Sequence, residues 1–162
     1  MPFNRINGFY VGAFQMPEKP EMTIDERNDE LNQALTARLE QLNLGIEKQE
    51  GELKAMMIAR DTQYCYRTAE ELDGGRTVGE HSWHIGMIRL KGGWRLCHAA
   101  HYFHYQGFEE DIAWKPLVDC SIEERIEAVS HIGALREEIV KSKESLVPEL
   151  EKAIEAVAKL TE

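Results

Sequence analysis

Histidine and cysteine cluster in the middle of the chain, as His81-Ser82-Trp83-His84 and then Cys97-His98-Ala99-Ala100-His101-Tyr102-Phe103-His104. Both residue types are good zinc ligands, and HxxH and CxxxHxxH spacings occur within the string. On a strand, His98 and His104 share one side but stand roughly 20 Å apart at about 3.3 Å per residue, with His101 on the other side. Only a helix would bring Cys97, His101 and His104 onto one stripe. A hairpin signal precedes these residues, so the strand is preferred, and no cofactor is implied.

Other catalytic patterns are missing. There is no GxSxG, HExxH, Walker loop or GxGxxG in the chain, and the lone Gly92-Gly93 suits a turn, not a phosphate cradle. Cys97 and His98 are neighbours in sequence, which on a strand sends them to opposite sides and spoils them as a dyad. Asp61, Glu80 and the histidines would form an acid and base pair only if the fold gathered them. A zinc-dependent enzyme therefore ranks third among the readings.

Arginine and aromatic side chains offer more. The net charge of −10 argues against general nucleic-acid or membrane-surface binding, which needs a basic face. Residues 53 to 108 hold seven basic and five acidic groups and five of the six histidines, whereas residues 21 to 52 and 109 to 162 are acidic. Long solvated helices attract Glu and Lys, so this segregation also follows from secondary structure alone. Arg89 and Arg95 flank the turn at Lys91-Gly92-Gly93, where residues oppose one another across a ladder and like charges repel unless an anion relieves them. Together with His84, His98, Trp83 and Tyr102 they make a candidate pocket for a small anionic, nucleotide-like ligand. An ion pair from Arg95 to Glu80 or to the acidic C-terminal helices is the plainer alternative. Trp94 and Phe103 are assigned to the core.

The elements that position these residues follow from spacing. At 162 residues, 43% hydrophobic and 30% charged, the chain matches a single domain with a real core, and collagenous, disordered and disulfide-scaffold classes drop out. Three cysteines without a CxxC pair fit reduced thiols. Without a membrane-length apolar stretch or a signal-like start, a cytoplasmic location is expected.

Residues 1–20 form an aromatic arm that must pack on something. Thr23-x-x-Glu26 is a capping box opening a helix over residues 23–45, with Leu31, Leu35, Leu39, Leu42 and Ile46 as one stripe and Gly45 as its C-cap. An antiparallel sheet is expected within residues 53–105, with 53 to 66 extended, 69 to 82 a loop turning at Asp73-Gly74-Gly75, and a hairpin at 91–93. Residues 106 to 120 read as irregular, and Trp114-Lys115-Pro116 rules out helix there. Ser121-x-x-Glu124 is a second capping box. It opens C-terminal helices over 121–160, where Ile126, Val129, Ile132, Leu135 and Ile139 recur and Pro148 either kinks the helix or starts another.

The fold class is α+β. So small a sheet cannot cover helices this long, so a homo-oligomer, most simply a dimer, is expected through their outer faces. The favoured function is non-enzymatic sequestration of a small anion in the central sheet or a subunit interface. The alternative is a protein interaction module, an inhibitor or adaptor, that sets acidic helices against a basic partner.

Overall fold

The structure, a computed structural model, describes residues 21–109 and 112–160. The expected aromatic arm over residues 1–20 lies outside them. By its contacts the chain divides into Met1–Arg38 and Leu39–Glu162.

Helix α1 spans Ile24–Ala55. Its start is the predicted capping box: the Glu26 amide donates to Thr23 Oγ1 at 3.2 Å, and the Glu26 carboxylate accepts the Thr23 amide at 2.9 Å. Within Met1–Arg38 the described part is this capped helical stretch, with Ile24, Leu31 and Leu35 exposed.

Gly45 does not end α1. A helical glycine costs about 1 kcal/mol relative to alanine, whereas burying Ile46 and Leu53 in the following turns returns about 1.5–3 kcal/mol each. The helix instead closes beside Met57, whose φ of 59° supplies the left-handed turn expected of a glycine. Residues 53–55, expected to be extended, are thus helical, and the first strand begins only at Thr62.

Strands β1 (Thr62–Asp73), β2 (Arg76–Leu90) and β3 (Gly93–His104) form an antiparallel sheet in that order. Two short strands, β4 (Phe108–Glu109) and β5 (Lys115–Pro116), pair with β3. Leu90 pairs with Gly93, so the predicted hairpin loop narrows to Lys91-Gly92. Residues 69–82 are strand, not loop, on both sides of a turn in which Gly74 and Gly75 have φ of 56° and 80°, the backbone of a tight two-residue hairpin. Residues 67–73 are all exposed, so this ribbon lacks the alternation by which a half-buried strand is read. Gly86 lets β1 and β2 approach closely, because a Cβ there would sit 2.9 Å from the Thr62 carbonyl oxygen.

A single 3-10 turn, Leu117–Asp119, leads to helix α2, Ile122–Val129. The second capping box is present: the Glu124 amide donates to Ser121 Oγ at 3.2 Å, and the Ser121 amide to Glu124 Oε2 at 2.8 Å. The helix expected to continue from here breaks at Ser130-His131, and α3 runs over Ile132–Leu160. Ile126, Val129, Ile132 and Leu135 recur every third residue, which drifts by about 60° per step around a helix of 3.6 residues per turn. Two helices resolve that drift. Pro148 lies inside α3 and starts no further helix.

One side of the sheet carries Ile85, Met87 and Leu96, packed with Ile46, Leu53, Leu117, Ala128, Ile132, Leu135 and Ile139. The result is the expected α+β architecture, with helices layered on one sheet face. Among the described residues no helix is long and apolar enough to cross a membrane.

Ser121→Ala removes the acceptor that starts α2 and is expected to cost about 0.5–2 kcal/mol of global stability in chemical denaturation. Thr23→Ala uncaps a helix end whose neighbours are exposed, so it should reduce helical circular dichroism with less effect on the main transition. Equal shifts from both variants would contradict this.

Candidate functional site

A β-bulge in β1 builds the most polar part of the core. Cys65 pairs with His84 and Arg67 with Trp83, leaving Tyr66 as the extra residue, and such a bulge re-aims side chains that would otherwise alternate. Tyr66 and Arg67 consequently both serve the helix-covered side. The Arg67 guanidinium lies 3.8 Å over the Trp83 ring, and its Nε is 3.2 Å from Glu127 of α2. Tyr66 stacks on His131 at the α2–α3 break, with ring centroids 4.6 Å apart, and its hydroxyl is 2.8 Å from His98 Nε2.

His98 is 2% exposed. Its Nδ1 is 3.8 Å from Glu124 Oε1, too far for a hydrogen bond. One donor atom each from His98, Cys120 and Glu124 lies within 4.8 Å of the other two. Burial lowers the His98 pKa against the opposing pull of Glu124 and Glu127, so the ring is neutral at pH 7. The Ser121 amide holds the Glu124 carboxyl below the usual range, outweighing burial. Burial pushes the Cys120 thiol up to about 11, and Sγ sits 3.4 Å from the Pro116 carbonyl oxygen. Burial likewise raises the Tyr66 phenol to about 12. A neutral imidazole, an ionised carboxylate and a protonated thiol meet here, and all three residue types ligate transition metals.

The six residues expected to hold an anion are not gathered. Arg89 pairs with Trp94 and Arg95 with Ile88, so the two arginines leave opposite sides of the sheet and do not oppose each other. The Arg89 guanidinium is 6.0 Å from the Trp94 ring. Arg95 Nε donates to both oxygens of Glu50, at 3.0 and 3.1 Å, and Glu50 also accepts the Leu96 amide at 2.9 Å. Its partner is therefore neither Glu80 nor a C-terminal helix. His84 pairs with Ala99 while His98 pairs with Ile85, which separates the two histidines. His84 Nε2 meets Ser82 Oγ at 2.8 Å, burial depresses its pKa, and its buried Nδ1 has no hydrogen-bond partner among the described residues. Tyr102 bonds Glu71 and lies 4.5 Å from the His81 ring. Trp83 shares the helix-covered side with His98, beneath Arg67.

Cys97, His101 and His104 do not form the conditional metal set either. They stand on a strand, where Cys97 and His101 face away from His104. Cys97 is completely buried, and burial pushes its thiol up to about 12. Trp94 packs against the core as expected, but Phe103 is 38% exposed. Cys120, Glu124 and Glu127 were not among the sequence candidates. Glu124 registered only as half of a capping box, and Cys120 only as an unpaired thiol.

Glu50 ties α1 to the edge of β3. Burial works to raise its pKa, but hydrogen bonds from Lys54, Leu96 and Arg95 outweigh it and hold the carboxyl low. Its stabilising contribution is complete above the unfolded carboxylate pKa of about 4.3 and is lost as pH falls through the lower folded value. Glu50→Ala is expected to cost about 1–3 kcal/mol and to flatten acid unfolding in that window. Arg95→Ala should also lower the melting temperature, and an unchanged melt would remove the structural role.

Set against protein-family models, curated proteins and solved structures, the chain finds no match in any of the three.

Proposed function

We propose that the protein is a non-enzymatic binding protein that assembles with a second copy of itself through the distal half of α3. The observation that supports this is one seam. Val147, Leu150, Ile154 and Val157 are 55%, 52%, 68% and 61% exposed and recur at intervals of three and four. A soluble helix normally turns such a stripe inward. This one has no sheet beneath it.

The order of residue types favours an identical helix as the occupant. Val147 and Ile154 are β-branched and seven apart, as at the a positions of a heptad, and Leu150 and Val157 take the d positions. β-branched a residues with Leu150 at d suit a parallel two-stranded pairing, and Val157 occupies the second d position. Residues at the flanking e and g positions are Glu144, Leu146, Glu151, Ala153, Ala158 and Leu160, which sets no acidic pair directly across a parallel seam. A basic partner protein held by the acidic helices finds less support, because the seam itself is uncharged. The small-anion pocket also finds less support, since Glu50 occupies Arg95. A cytoplasmic setting belongs to this proposal and accords with three free thiols, Cys65, Cys97 and Cys120.

Light scattering should return at least twice the 18.6 kDa chain mass. The double variant Val147→Glu and Ile154→Glu should return the monomer with its sheet circular dichroism intact. A wild-type mass of one chain at every concentration would overturn the proposal, as would an assembled double variant.

A further inference from the structure

We infer that His98, Cys120 and Glu124 form a binding site for a divalent transition metal of the zinc class. This site stands apart from self-association, since none of its residues lies in the α3 seam.

The geometry is that of a site assembled from three elements. His98 comes from β3, Cys120 from the turn after the 3-10 segment, and Glu124 from the first turn of α2. Their donor atoms fall within 4.8 Å of one another. Ligand atoms around tetrahedral zinc stand roughly 3.3–3.7 Å apart, given bonds of about 2.0 Å to nitrogen and oxygen and 2.3 Å to sulfur. A contraction of about 1 Å therefore closes the set.

Each ligand is already oriented by a group that leaves a donor atom for the metal. Tyr66 engages His98 Nε2, which directs Nδ1 toward Glu124, and a ligating histidine characteristically hydrogen-bonds through its other nitrogen. Ser121 engages Glu124 Oε2, so Oε1 remains for the ion. Cys120 donates, among the described residues, to the carbonyl oxygens of Lys115 and Pro116. On binding, the thiol proton passes to solvent and sulfur bonds to the metal as thiolate. One imidazole nitrogen, one thiolate and one carboxylate favour zinc over calcium or magnesium, which select oxygen alone. Three protein donors leave a fourth position for water or an external ligand.

The alternative is a plain polar cluster in which the thiol and imidazole stay metal-free. Cobalt(II) added to chelator-treated full-length protein separates the two. Binding at the site gives one equivalent per chain and a sulfur-to-cobalt charge-transfer band, and zinc displaces that band. Cys120→Ser should abolish the band, while Cys97→Ser, on the other side of the sheet, should leave it. Glu124→Gln retains a residue able to complete a capping box and so keeps the fold while weakening binding. Tyr66→Phe should weaken cobalt binding by about 10- to 100-fold. Absence of the band in folded wild-type protein overturns the inference. So does a band that survives Cys120→Ser, or cobalt bound without sulfur by surface histidines.

Discussion

Everything in Leu39–Glu162 depends on one sheet face finding cover. Ile85, Met87 and Leu96 have almost no exposure, and neither do Ile46, Leu53, Leu135 and Ile139 opposite them. At about 1.5–3 kcal/mol per buried aliphatic side chain, these few residues supply the main driving force against chain entropy. The cover is narrow, and its borders have to accommodate polar groups. Glu50 meets the Leu96 amide at one border, while Tyr66 and His98 meet below α2 at another. Buried polar groups must find partners, so these contacts also decide where each helix can sit.

The same constraint separates structural cations from available ones. Arg95, Arg67 and Arg136 are each drawn into an ion pair, with Glu50, Glu127 and Glu52 respectively. A basic residue near the rim of a small core is therefore a poor guide to an anion site. What the central segment does concentrate is the ligating chemistry of histidine and thiol.

Local signals in the sequence were reliable where local physics decides. Both capping boxes and the 91–93 hairpin need only a few neighbouring residues, and each is found. Gly45 misled because its local preference for ending a helix is overruled by Ile46 and Leu53, whose burial is tertiary. The exposed ribbon around Gly74 carries no alternation to read. The bulge at Tyr66 has no sequence mark, yet it brings Tyr66 to His98. The meeting of His98 with Cys120 and Glu124 joins segments more than twenty residues apart, beyond the reach of any spacing rule.

Pro148 brings a mechanical consequence. Proline has no amide hydrogen and crowds the carbonyl four residues earlier, so the ladder of α3 lacks a rung to Glu144 within an unbroken helical segment. On one side, Leu135 and Ile139 are clamped to the sheet, while on the other every residue from 149 to 160 is exposed. The Arg60 guanidinium spans the missing rung, meeting Ser142 and Ser145 before the proline and Glu149 after it, so a side chain from outside the helix splints the point where its own ladder is weakest.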